Sequence, residues 1–150
     1  MSDLIAAHLW DFEFETRAKS HPNGKRATIA LAREDGTCFH YFFHLLPHEG
    51  AMRTENEKYV SRTLKTLFWI KGGSRVHLHA DVDLISHLSS VYSSTGARNF
   101  DADFMGLKLC GEPLSFIHHE SADSLPEPKS EANPLGRHLD GCRIGFDLGG

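Results

Sequence analysis

Cysteine is scarce in this chain: Cys38, Cys110 and Cys142 stand far apart, and no CxxC pair occurs. That argues against a disulfide framework or a zinc ribbon and fits reduced, buried or half-buried thiols in a cytoplasmic protein. A basic surplus is also missing. The 150 residues hold 16 Lys+Arg against 20 Asp+Glu, a net charge of −4, with the two signs interspersed. Such a chain lacks the positive footprint by which nucleic acid or an anionic membrane is bound. No apolar run approaches a membrane span. The opening MSDLIAAHLWDFEFE has no basic segment ahead of its apolar residues and does not read as a secretory leader. Nor is there an HExxH pattern, a Cys/His set at ligand spacing, or an internal repeat.

What is present is ordinary for a soluble domain: 40% hydrophobic and 24% charged residues, on a chain long enough to bury a core. Between Leu9 and Thr16 the pattern LWDFEFET alternates, which predicts a half-buried first strand carrying Trp10, Phe12 and Phe14 on one face. The turn signals of His21 to Lys25 (HPNGK) lead into a second strand over Ala27 to Glu34. Asp35-Gly36 turns the chain into a third, TCFHYFFHLL, ended by Pro47. Its aromatic residues Phe39, Tyr41, Phe42 and Phe43 are expected in the core. Thr54-Glu55-Asn56-Glu57 reads as a capping box opening a helix, with Tyr59, Val60, Leu64, Leu67 and Phe68 at helical spacing and Gly72-Gly73 as its stop. RVHLHA predicts a short strand from Arg75 to Ala80. A second helix follows from about Val82 to Tyr92, with Asp81 and Asp83 at its positive end. Short strands are expected near Leu107 to Leu109 and Leu114 to His118.

From Ser121 to Gly136 the composition shifts to SADSLPEPKSEANPLG, rich in proline and poor in large apolar residues, as in a linker. Beyond it, CRIGFDL (Cys142 to Leu148) reads as a new strand. The expected organisation is an N-terminal α/β domain over 1–120, a linker over 121–140, and the start of another unit over 141–150. Its order is β-β-β-α-β-α-β on a mixed sheet.

Paired glycines after a strand let backbone amides approach an anion, and an aspartate beside them can hold hydrated Mg²⁺. Gly145-Phe146-Asp147-Leu148-Gly149-Gly150 resembles the opening of the first phosphate loop in the sugar kinase, hsp70 and actin superfamily, and within it the ROK family of sugar kinases and related repressors. The preceding NPLGRHLDGC is similar to the approach to the catalytic core in long ROK-like proteins. The resemblance implies an actin-like ATPase domain starting in the last strand, ATP and Mg²⁺ as cofactors, and transfer of phosphate from ATP to a sugar hydroxyl. Asp147, Gly149 and Gly150 would be its first phosphate-site residues. It also implies that the chain is a fragment, inactive by itself, because the second phosphate loop and the catalytic aspartate lie later in the family pattern. Its partners would be a sugar and ATP, without nucleic acid or membrane, and with homodimerisation left open. The repressors' helix-turn-helix is absent from the sequence pattern, since a strand separates the two expected helices.

The same β-β-β-α-β-α-β order resembles a ribonuclease H-like domain, the unit from which actin-like kinases are built. There, Asp11, Glu57 and Asp81 would gather two metal ions for hydrolysis. Each also has a local account: a solvent-facing strand position, the capping box, and the second helix's start. A decayed phosphate loop at WDFEFETR is excluded by Glu13 and Phe14, which stand where glycines are needed. Eleven histidines raise the question of a metal. His77 and His79 share one strand face, His40 and His44 another, and the adjacent His118 and His119 point to opposite faces. Surface or strand packing accounts for them without a zinc site. A stand-alone interaction or dimerisation domain is the alternative to the kinase reading.

Overall fold

The computed structural model describes residues 6–130. Its first element corrects the expected strand: Ala7–Ser20 is a helix, α1. Alternation places Trp10 and Phe14 on one face, but residues four apart also share a helix face. The ring centroids of Trp10 and Phe14 lie 5.5 Å apart. Phe14 and Ala18 are buried, whereas Phe12, which the strand reading put on the same face as Phe14, is 69% exposed. Alanine, leucine, glutamate, arginine and lysine dominate the flanks and favour the helix.

Strands β1 (Lys25–Ala32) and β2 (Cys38–Leu45) form where expected and pair antiparallel across the Asp35-Gly36 turn. The Asp35 carboxylate accepts hydrogen bonds from the Thr37 amide (2.9 Å) and hydroxyl (2.6 Å). These bonds, the hydroxyl's foremost, hold its pKa below the usual carboxylate value.

Helix α2 (Gly50–Lys71) starts a turn earlier than the capping box places it. Glu49 precedes it without a side-chain cap. Thr54 lies inside the helix, and Glu57 is bonded by Arg53 (3.1 Å) one turn back. The stop is as read: Gly72 has φ 68° and donates its N–H to the Phe68 carbonyl at 2.9 Å. β3 (Arg75–His79) and α3 (Val82–Val91) follow.

The expected strand at Leu107 to Leu109 is a second correction. After the one-turn α4 (Asn99–Ala102), residues Asp103–Cys110 form a π-helix. Lys108 Nζ lies 3.0 Å from Asp103 Oδ2, a five-residue spacing that a π-helix brings to one side. β4 (Ser115–His118) closes the sheet.

The four strands run in the order β2-β1-β3-β4. β1 is antiparallel to both neighbours, and β4 is parallel to β3. The chain is therefore α/β on a mixed sheet, but its order begins with a helix. One sheet face carries Ala27, Ile29, Leu31, Phe43, Leu45, Val76 and Leu78 into a core shared with Phe14, Tyr59, Leu64, Phe68, Leu84 and Leu88. Truncating any of these large side chains costs about 2–5 kcal/mol.

The opposite face is partly covered by the residues after β4. Within the stretch read as linker, Leu125 is buried against Ala30 and Cys38, and Lys129 forms a two-bond backbone bridge with Cys38. Composition hid this because one leucine suffices to dock the segment. The remaining linker residues and the strand from Cys142 lie outside the described residues. No described helix is long and apolar enough to cross a membrane.

Candidate functional site

The structure does not bring Asp11, Glu57 and Asp81 together. Asp11, on α1 rather than on a strand, has Oδ2 3.2 Å from Arg62 Nη2. Glu57 is held by Arg53 at 3.1 Å, with His87 Nδ1 at 3.7 Å. Asp81 precedes α3 and meets Lys25 Nζ at 3.6 Å. Each carboxylate is balanced by its own cation. Among the described residues, no group of three or more His, Cys, Asp or Glu side chains is placed to hold a metal ion. Asp147, Gly149 and Gly150 lie outside the described residues. Cys38 is a buried free thiol, whose pKa burial pushes up, and Cys110 is a half-buried one.

The histidines are gathered in a way spacing alone did not show. Ala30 faces His40 on one side and His77 on the other. The two histidine pairs therefore share one sheet face, the one opposite the main core. There His77 Nδ1 lies 2.9 Å from His119 Nε2, His119 Nδ1 lies 2.9 Å from Ser124 Oγ, and His40 Nε2 lies 2.7 Å from the Pro126 carbonyl. Burial, then the neighbouring His119 and Arg75, hold the pKa of His77 below the ordinary imidazole value. His118 turns the other way and bonds the Ala80 carbonyl through Nε2 at 2.9 Å. Of the four aromatics expected in the core, Phe39, Tyr41 and Phe43 pack there. Phe42 lies on the histidine face, with the Arg26 guanidinium 4.7 Å from its ring centroid.

A feature that pattern reading missed lies where the end of α2 meets the π-helix. Trp69 stacks on Phe104 (5.5 Å, 14°), and Phe104 stacks on Phe100 (6.0 Å, 15°). The outer rings of this ridge are bare: Trp69 is 51% exposed and Phe100 65%. One ring of the ridge is tied down from beneath. Trp69 Nε1 donates to the buried carboxylate of Asp101 at 3.1 Å, and Asp101 is flanked by Arg98 (3.7 Å) and Lys65 (3.9 Å). Beside it runs a cleft of about 630 Å³ walled by Tyr92, Phe100, Leu107, Pro113 and Leu114. Leu107 is itself exposed. The sequence held one clue, the four-residue spacing of Phe100 and Phe104 in NFDADF. The contribution of Trp69, far away on α2, had none.

Chemically, the ridge offers flat aromatic area with both signs of charge beside it and with Trp69 held in place by a hydrogen bond. Such aromatic area is the kind that anchors protein contacts. Comparison of the chain with family models, with curated proteins and with solved structures finds no match.

Proposed function

We propose that the domain described here is a non-catalytic association module that pairs with a second copy of itself through the Trp69–Phe104–Phe100 ridge. The observation that carries this reading is the exposed three-ring stack, its Trp69 held from beneath by Asp101. A second copy is the occupant because the rim is self-complementary. Lys65 and Lys108 are exposed beside the ridge with Asp103, and a two-fold contact can set one sign against the other. A partner of strongly one-signed charge would find no matching field. Separately balanced carboxylates and the lack of a metal-binding group among the described residues favour association over hydrolysis.

Sedimentation velocity tests the proposal on the full chain. The expected result is a concentration-dependent dimer that Phe100→Asp and Trp69→Ala convert to monomer, with the circular dichroism spectrum retained. A chain that stays monomeric up to about 100 μM, weaker than about −5.5 kcal/mol, would sink it.

A kinase reading of the parent protein is a second proposal, supported by the motif Gly145 to Gly150 alone. In it Asp147, Gly149 and Gly150 begin an ATP–Mg²⁺ site for phosphoryl transfer to a sugar, and the association module would pair two such units. Isothermal titration of ATP–Mg²⁺ onto a reading frame extended past Gly150 decides it, with binding lost in Asp147→Ala as the expected result.

A further inference from the structure

Residues 119–130 cross the histidine face of the sheet and are tied down at separate points. Leu125 is 8% exposed against Ala30 and Cys38. His40 Nε2–H donates to the Pro126 carbonyl at 2.7 Å. Cys38 and Lys129 exchange backbone hydrogen bonds of 2.9 and 3.0 Å. At the near end, the His119 amide donates to the Leu78 carbonyl at 2.9 Å, and its ring meets His77.

The direction of each bond in the imidazole chain follows from its far end. Ser124 Oγ–H donates to the Ser121 carbonyl at 2.8 Å. Its oxygen is then an acceptor for His119 Nδ1–H at 2.9 Å. With Nδ1 carrying the proton, neutral His119 has only an acceptor left at Nε2, and His77 Nδ1–H must donate to it across 2.9 Å. All donors are satisfied in one sense along the chain.

Protonation acts on this arrangement in two stages. One added proton is tolerated. It sits on His77 Nε2, leaving the bond as it is, or on His119 Nε2, reversing the bond onto His77 Nδ1. A second proton makes both facing nitrogens donors, so N–H confronts N–H between two cations, and no tautomer rescues the bond.

We propose that residues 119–130 are a strap latched across the open sheet face by the His77–His119 bond, and that full protonation of this pair releases it. The surroundings act in both directions. From β3 itself, Arg75, whose guanidinium is bonded to the Glu112 carboxylate at 3.0 Å, and His79 lie on the same face as His77. β2 adds His40 beyond Ala30, and His44 further along beside Arg26 of β1. β1 and β4 place uncharged Ala30 and Ile117 directly opposite His77. The strap brings His119 with Glu120, Asp123, Glu127 and Lys129. Arg75 on the sheet therefore opposes added charge on the pair, the strap's three acidic residues against one lysine offset that, and release rests on the two N–H groups brought face to face. His40 is indifferent as a tie, because Nε2–H donates to Pro126 whether the ring is neutral or charged.

The sign is fixed by linkage. With the strap closed, proton binding at His77 is held below the ordinary value of 6.5, first by burial and then by His119, which the strap itself brings. The open strap binds more protons, so closure is fully favoured above that value and weakens as pH falls below it.

Hydrogen exchange read by mass spectrometry on the full chain tests this, with rates corrected for the intrinsic effect of pH. Between about pH 8 and about pH 5, the span over which imidazoles charge, protection of amides in 119–130 should fall on the order of tenfold or more, with α2 amides unchanged. His77→Asn and His119→Asn should each abolish that pH dependence, whatever level of protection they leave. Strap protection that is flat with pH in the wild type would overturn the proposal. So would the same pH dependence in both variants, or loss of α2 protection in the same window, which would make the opening global.

Discussion

Asn56 is completely buried, a position a polar side chain occupies only when its hydrogen bonds are met. Its Oδ1 accepts from the Leu46 amide at 3.1 Å, and its Nδ2 donates to the Leu46 carbonyl at 2.8 Å. Leu46 follows the last residue of β2, and Pro47 prevents the strand from continuing. Asn56 thus takes the place of a strand partner where the backbone runs out of one. Asn56→Leu keeps the branched outline and leaves both Leu46 groups buried and unpaired, at roughly 1–3 kcal/mol each. A urea midpoint lowered by an amount matching roughly 2–6 kcal/mol is expected. A neutral variant would mean that water reaches Leu46. None of this is local, which is why sequence misplaced the residue. Thr54 to Glu57 has the letters of a capping box, and only the contact with Leu46, ten positions earlier, shows that Asn56 is a clasp. The same limit hid Tyr59 Oη donating to Glu15 at 2.5 Å, a bond that ties α2 to α1. Burial first, and that bond second, keep the Tyr59 hydroxyl protonated.

At the scale of elements, the boundary between α2 and β3 is the most tightly specified. Gly73 has φ 134°, and a Cβ there would meet Leu31 Cγ at 2.8 Å and the Ala32 carbonyl at 3.0 Å. Gly73→Ala adds backbone strain of roughly 1–3 kcal/mol to a clash with a buried strand, so a lowered urea midpoint with unchanged helix content is expected. A substitution without cost would show that the turn relaxes elsewhere. This boundary was legible because two glycines after an apolar helix face have one common use. β1, β2, β3 and α3 were legible for similar reasons: their period and their punctuation agree. α1 was not, because Trp10, Phe14 and Ala18 satisfy a four-residue rule while Trp10, Phe12 and Phe14 satisfy a two-residue one. What decides between them is whether Phe12 has somewhere to be buried, and it does not. The π-helix was illegible on principle. Its DFMGLKLC has the apolar content of a short strand, and its extra residue per turn leaves no periodic mark over so few positions. Since that π-helix supplies one side of the aromatic ridge, the candidate site inherited its illegibility.

For the whole molecule, the sheet has two faces of unequal standing. One is sealed by α1, α2 and α3 in a continuous core, and the other carries histidines beneath a strap held by one leucine and a few hydrogen bonds. Segments with little buried apolar surface open well below the free energy of global unfolding. Leu125→Ala separates the two levels. Truncating that side chain removes about 1.5–3 kcal/mol of burial from the closed strap. If the strap opens independently, exchange in 119–130 accelerates by about ten- to a hundredfold, because each 1.4 kcal/mol is a factor of ten. The urea midpoint read from the core then stays where it is. A midpoint that falls in proportion would make the strap part of the cooperative core and the second face as sealed as the first. Independent opening is also what a proton-driven latch requires. Two imidazoles contribute at most a few kcal/mol between them, enough to lift a strap fastened by Leu125 but not to unfold a sheet whose other face buries Phe14, Tyr59 and Phe68.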